Sequence, residues 1–254
     1  MKFVLLTMVL KAWKNASIKA GVVLSLITVF NCSTAQTLLP SQPARDISDS
    51  ANIRYDSLEK IYGKNKVIPT QYAKQLIYAL SYFPELVNTK IKLKIINSEK
   101  GLISTNLTFG SVFRKASKRT YIIKIFEPSA GSNIPLFVNA GINGQAGIFG
   151  HELCHIVYFG TKNTFGLIGL GISHVSVKYM DQFERNTDSA DIARGLGYQL
   201  LAWKAYLNKG FAVMRNDIIP HEEKYPGGKR YMSESAIQEQ MSRTEKYVGL
   251  DSRW

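Results

Sequence analysis

Gly147-Ile148-Phe149-Gly150-His151-Glu152-Leu153-Cys154-His155-Ile156-Val157-Tyr158-Phe159 is the stretch on which the reading of this chain turns. Its spacing predicts one helix, beginning near Gly147 and carrying Ile148, His151, Glu152, His155, Val157 and Phe159. On an α-helix, residues four apart share a face one turn up, so His151 and His155 can aim two imidazole nitrogens at one point. Glu152 stands about a quarter-turn aside, within reach of a water at that point without being a ligand itself. Two imidazoles and a neighbouring carboxylate suit a divalent metal. Zinc lowers the pKa of bound water to about 7 in suitable sites, and Glu152 would take the water's proton and later deliver it to a leaving group. The competing reading is a pair of core or surface histidines. With only four histidines in 254 residues, chance seldom spaces two of them this way around a glutamate.

Upstream, Tyr72, Leu76, Ala79, Leu80 and Phe83 recur at helical intervals and predict a helix over 70–87, with Thr70 as its cap and Pro84 near its end. A shorter helix is expected within 51–62. Ile91 to Ile96 alternates apolar and charged residues, the pattern of a half-buried strand. Tyr121 to Phe126 is rich in β-formers, Asn106 to Phe109 is a weaker strand, and Ile134 to Val138 a further short one after a loop at 130–133. Downstream, the glycine-rich run Phe165 to Ile172 reads as a buried turn or close helix contact. A long helical region follows over about 175–207, broken near Gly195-Leu196-Gly197, and a polar helix over 233–246. The fold class expected is α+β, a small twisted sheet followed by the motif helix.

A catalytic zinc takes three protein ligands and leaves one position open. Glu184, in Phe183-Glu184-Arg185-Asn186-Thr187-Asp188, is the candidate third ligand. Asp188 shares its helical face and could hold the second nitrogen of a liganding histidine. Glu184 also reads as a surface carboxylate paired with Arg185 or a lysine, and His174 or Asp188 are alternative ligands. His221 is a candidate donor to the oxyanion of a tetrahedral intermediate, alongside Tyr198, Tyr225 and Tyr231. Cys154 points elsewhere on the motif helix and reads as a small buried hydrophobe.

His151-Glu152-x-x-His155 followed by Glu184-x-x-x-Asp188 on a later helix resembles the gluzincin metallopeptidases, which include thermolysin-like and minigluzincin proteins. The membrane-bound CAAX-processing peptidases share the helical signature. The resemblance covers roughly residues 91–207. It implies a zincin-like fold, zinc held by His151, His155 and Glu184, Glu152 as general base, Asp188 behind a ligand, and an edge strand at 134–139 that pairs with extended substrate. The interval from His155 to Glu184 is longer than in thermolysin-like enzymes, and the several membrane helices of the CAAX group are missing. The Glu-Arg-x-Thr-Asp form resembles secreted bacterial proteins and leaves the substrate open.

Residues 1–35 contain no acid, four lysines (Lys2, Lys11, Lys14, Lys19), an apolar run from Gly21 to Phe30 and a small-residue exit at Ser33-Thr34-Ala35. That is the layout of a secretory signal peptide; a retained N-terminal anchor is the alternative. The apolar run is short of the roughly 20 residues that span a bilayer. Met8 is an alternative start, and Phe30-Asn31 before Cys32 is a poor lipidation context. Cleavage would remove Cys32, leave Cys154 alone, and lower the net charge from +13 to +9 with the loss of four lysines. Residues 36–50 read as a linker and 51–254 as a single domain. The expected location is periplasmic or extracellular.

The remaining basic residues are scattered, with Lys90, Lys92 and Lys94 on one strand face and Arg114, Lys115, Lys118 and Arg119 close behind. A solvated sheet face is the plain reading; a membrane surface, acidic glycan or acidic substrate is the sharper one. No nucleic-acid motif is present. The expected partner is a peptide or protein substrate. The alternatives are a zinc-containing envelope binding or scaffold protein, or a hydrolase of a non-peptide amide such as a cell-wall bond.

Overall fold

A computed structural model describes residues 43–48, 55–98, 102–127, 135–173, 175–215 and 230–250, all within the body that begins at Pro40. The leader, His174, His221 and Tyr225 lie outside the described residues. The chain is α+β. Among the described residues, seven α-helices accompany one mixed four-stranded sheet.

The helices are α1 (Tyr55–Tyr62), α2 (Ala73–Leu80), α3 (Ile142–Gly160), α4 (Thr164–Ser173), α5 (Val177–Arg194), α6 (Gly197–Arg215) and α7 (Glu234–Arg243). The strands are β1 (Lys66–Val67), β2 (Lys90–Ile96), β3 (Ile103–Leu107) and β4 (Thr120–Phe126). Their order across the sheet is β1-β2-β4-β3. β1 and β2 pair parallel, as do β2 and β4, with Lys90 opposite Thr120 and Ile96 opposite Phe126. β3 runs antiparallel to β4 with Ile103 opposite Ile125, and forms the edge.

Alternation decides which sheet face is buried. Ile91 and Leu93 of β2 and Tyr121, Ile123 and Ile125 of β4 point into the core, while Lys90, Lys92 and Lys94 stay in water. The three lysines are therefore the solvated face of a strand. Burying the apolar set contributes roughly 1.5–3 kcal/mol per large side chain.

Helix α3 runs through the centre, buried along most of its nineteen residues. Small residues let it do so. A Cβ on Gly147 would lie 2.2 Å from the Gln199 carbonyl carbon of α6, and one on Gly150 would lie 2.2 Å from Asp191 Oδ1 of α5. Backbone that close to Gly147 admits only glycine, and at Gly150 the buried Asp191 and Leu196 side chains fill the space a Cβ would need. Around the start of α3, Phe137 packs on Tyr72 and Phe149 with ring centroids 5.2 Å away in both cases, and on Trp203 at 6.0 Å. A second apolar cluster of Ile192, Tyr198, Leu200, Ile237, Met241 and Tyr247 joins α5, α6 and α7.

Several sequence expectations change. The helix expected over 70–87 is three pieces: a 3₁₀ turn at Thr70–Tyr72, α2, and a 3₁₀ turn at Pro84–Leu86. Pro84 disfavours a helical Phe83, which sits at φ −127°, ψ 64°. Thr70 caps nothing with its side chain. The weaker strand near 106–109 lies earlier, at Ile103–Leu107, and Phe109–Ser111 is a 3₁₀ turn.

The strand expected at 134–138 is not formed where it is described: Phe137–Asn139 is a 3₁₀ turn. Side chains take its carbonyls before any ladder can. Gln145 Nε2 donates to the oxygens of Phe137 and Val138 at 3.2 Å each, and the Tyr206 hydroxyl to that of Leu136 at 2.6 Å. Residues 165–172, expected as a buried contact, form the exposed helix α4; a Cβ on Gly169 or Gly171 would meet nothing within 4 Å.

The break at Gly195 is where expected. Gly195 caps α5 at φ 115°, a conformation that favours glycine. Ser233 caps α7, accepting from the Ala236 amide at 3.0 Å. Part of the expected linker is held on the body. Ile47 is fully buried, its amide donates to Asn143 Oδ1 at 3.0 Å, and Gln199 Nε2 donates to the Ala44 oxygen at 2.7 Å.

Candidate metal centre

α3 carries His151 and His155 on its inward face, and α5 crosses it carrying Glu184 and Asp188. The imidazoles stand edge to face with centroids 4.8 Å apart. Their Nε2 atoms are 3.1 Å from each other. Glu184 Oε2 lies 3.0 Å from His151 Nε2 and 3.3 Å from His155 Nε2. One donor atom from each residue thus closes a small triangle, and all three side chains are buried.

The fourth expected residue stands behind the first. Asp188 Oδ1 is 2.7 Å from His151 Nδ1, and Asp188 Oδ2 accepts from the Met232 amide at 2.8 Å. An aspartate there favours the tautomer with a proton on Nδ1, leaving the Nε2 lone pair directed at the triangle. The second hydrogen bond ties α5 to the segment leading into α7. The ring of His155 is held differently, stacked on Phe183 at 5.1 Å and Phe159 at 6.0 Å.

Acidic side chains crowd the triangle. Glu152, Glu184, Asp188 and Asp191 are all buried within two adjoining helices. Burial opposes the charged form of His151. Hydrogen bonds to Asp188 and Glu184 outweigh it and raise the imidazole pKa well above its ordinary value. Burial likewise pushes the Glu184 carboxyl up, but the hydrogen bonds of His151 and His155 bring it below its usual range. Asp191 is the opposite case. Burial raises its pKa well above 3.8, and neither carboxyl oxygen has a hydrogen-bond partner among the described residues.

These residues fit a divalent metal. Two imidazole nitrogens 3.1 Å apart, with a carboxylate oxygen beside both, offer three donor atoms to one point at which a cation can lie between them. Bound to zinc at about 2.0–2.2 Å, nitrogen and oxygen donors stand a little over 3 Å apart, the size of this triangle.

Glu152 lies beside the triangle, and its Oε2 has no hydrogen-bond partner among the described residues. Its backbone oxygen accepts from Thr105 Oγ1 at 3.3 Å, which ties the motif helix to edge strand β3. Two hollows meet at His151 and Glu152. A groove of about 170 Å³ is walled by Ser104, Thr105 and Tyr231, and a cavity of about 370 Å³ by Ile148, Leu200, Trp203 and Tyr231. The edge strand beside the groove is therefore β3, not residues 134–139.

Tyr231 lines both hollows, with its ring 5.8 Å from that of His151, and burial pushes its hydroxyl pKa far up. Of the three tyrosines named from the sequence, Tyr198 packs in the apolar cluster, 5.5 Å from Tyr247, and Tyr225 lies outside the described residues. Cys154 is buried away from the triangle, and burial raises its thiol pKa. Sequence reasoning missed Asp191, though Glu184, Asp188 and Asp191 stand at i, i+4 and i+7, the spacing of one helical face. β3 as the groove wall left no such signal. No family model, curated protein or solved structure matches the chain.

Proposed function

We propose that this protein is an exported zinc-dependent peptidase with a zincin-like fold, cutting a peptide bond with an activated water. The observation that carries the reading is the triangle of His151 Nε2, His155 Nε2 and Glu184 Oε2 with an unpartnered Glu152 carboxylate oxygen beside it. His151, His155 and Glu184 would hold the zinc, which when bound acidifies water and polarises a carbonyl. Export rests on the layout of residues 1–35.

The chain's own groups supply the rest. Glu152 Oε2 accepts the proton of the attacking water and passes it to the leaving amine. The Tyr231 hydroxyl donates to the oxyanion; His221 is a second candidate for that role and lies outside the described residues. The free edge of β3 accepts an extended substrate through backbone hydrogen bonds. The cavity between α3 and α6 receives an apolar side chain, with Ile148, Leu200 and Trp203 as walls. A purely structural zinc is closed by four protein ligands rich in cysteine. Here the one described cysteine, Cys154, stands apart from the cluster, and the triangle adjoins a groove.

The test is Glu152→Gln in purified protein, assayed for bound zinc and for cleavage of a diverse peptide mixture. Zinc should remain at one per chain while hydrolysis falls by roughly 10²–10⁴-fold. Undiminished cleavage, or wild-type protein that takes up no zinc, would overturn the assignment.

A further inference from the structure

Helix α4 is ten residues long and has no charged side chain. Only Leu167 and Leu170 turn inward. Phe165, Ile168 and Ile172 face water, Phe165 at 83% exposure, and exposed Val175 and Val177 continue the apolar surface. The turn after β3 adds Phe109, 95% exposed, and Phe113. Thr164 Oγ1 donates to the Val112 oxygen at 2.9 Å, so the 109–118 segment and the start of α4 meet there, with Phe113 and Phe165 on either side of the bond. Arg119 pins the same junction, donating to the oxygens of Phe159 at 2.9 Å and Lys162 at 2.7 Å.

So much contiguous exposed apolar surface marks a docking face. Its border identifies the occupant. Arg114, Lys115 and Lys118 are exposed beside the phenylalanines, Lys178 follows Val177, and neither 103–126 nor 153–180 contains an aspartate or glutamate. A second copy docked two-fold on this face would bring basic border against basic border. An apolar centre ringed by cations matches a surface with an apolar interior under anionic headgroups.

We propose that α4 and the 109–118 segment form a docking face for an anionic lipid bilayer. Phe109, Phe113, Phe165 and Ile172 enter the headgroup–acyl boundary, and Arg114, Lys115 and Lys118 bind lipid phosphates. The face does not depend on the catalytic reading. It continues directly from β3 and from the end of α3, and would hold the groove near the membrane surface.

The test is co-sedimentation of the full chain with vesicles of neutral phosphatidylcholine, or of phosphatidylcholine with about 30 mol% phosphatidylglycerol. Wild type should prefer the anionic vesicles and release them as salt rises. Combined Phe109→Ser, Phe113→Ser, Phe165→Ser and Ile172→Ser, and separately Arg114→Glu, Lys115→Glu and Lys118→Glu, should each weaken that binding about tenfold or more. Val67→Ser with Val248→Ser, at exposed positions outside the face, should not. Should the serine variant fail to fold, the charge-reversal variant, confined to exposed side chains, carries the test. Equal binding by wild type and charge-reversal variant overturns the proposal. So does sedimentation velocity in which the serine changes convert an oligomer to a monomer, which would assign the face to a second copy.

Discussion

His151 is held at both ring nitrogens, with Asp188 on Nδ1 at 2.7 Å and Glu184 near Nε2 at 3.0 Å. Asp188→Asn keeps the shape and can still accept from the Met232 amide, but it no longer compels a proton on Nδ1. Zinc affinity measured by competition with a chromogenic chelator should fall about 10–100-fold. Unchanged affinity would show that Asp188 does not set the tautomer. Asp191 offers a pH test. Its folded pKa lies far above its unfolded one, so this group's contribution is full below about pH 3.8 and is lost as pH rises toward the folded value. Asp191→Asn has no such loss. In metal-free protein the variant's stability relative to wild type should therefore improve between pH 5 and pH 7. Parallel denaturation curves at the two pH values would refute the buried neutral carboxyl.

At the scale of elements, the meeting of α3 with α5 and α6 decides whether the site forms. Gly147 lies against α6 backbone that has no flexible end to move aside. Gly147→Val should cost about 3 kcal/mol or more in urea unfolding, beyond the typical range for overpacking, because backbone must shift. Gly169→Val on exposed α4 should cost little in the same assay; similar losses at both positions would contradict the packing described. Elements with strong local patterns were legible in the sequence: β2 by alternation, β4 by its run of β-forming residues, α5 and α6 by the Gly195 break, α7 as a polar helical stretch. Elements whose form depends on distant partners were not. Phe137–Asn139 is held in its turn by Gln145 and Tyr206, and α4 was misread because an apolar, glycine-rich run normally finds a covering surface.

For the molecule as a whole, the triangle joins α3 to α5, helices that are far apart in sequence at their contact points. Metal that binds only the folded chain adds stability in proportion to its excess over the dissociation constant, about 4 kcal/mol at a thousandfold excess. Stripping zinc with a chelator should lower the melting temperature by roughly 10 °C, and zinc should restore it. A melting temperature indifferent to both would mean that the cluster holds no metal in the folded state. The sequence by itself marked the motif helix and the candidate residues His151, His155, Glu184, Glu152 and Asp188, because helical spacing is local and their chemistry is written in residue type. Only the tertiary structure decided which tyrosine reaches the site, which strand borders the groove, why α3 needs glycine where α5 and α6 cross it, and that an apolar face stands open on α4. Those depend on which surfaces meet, and a one-dimensional pattern records the period of a surface but not its partner.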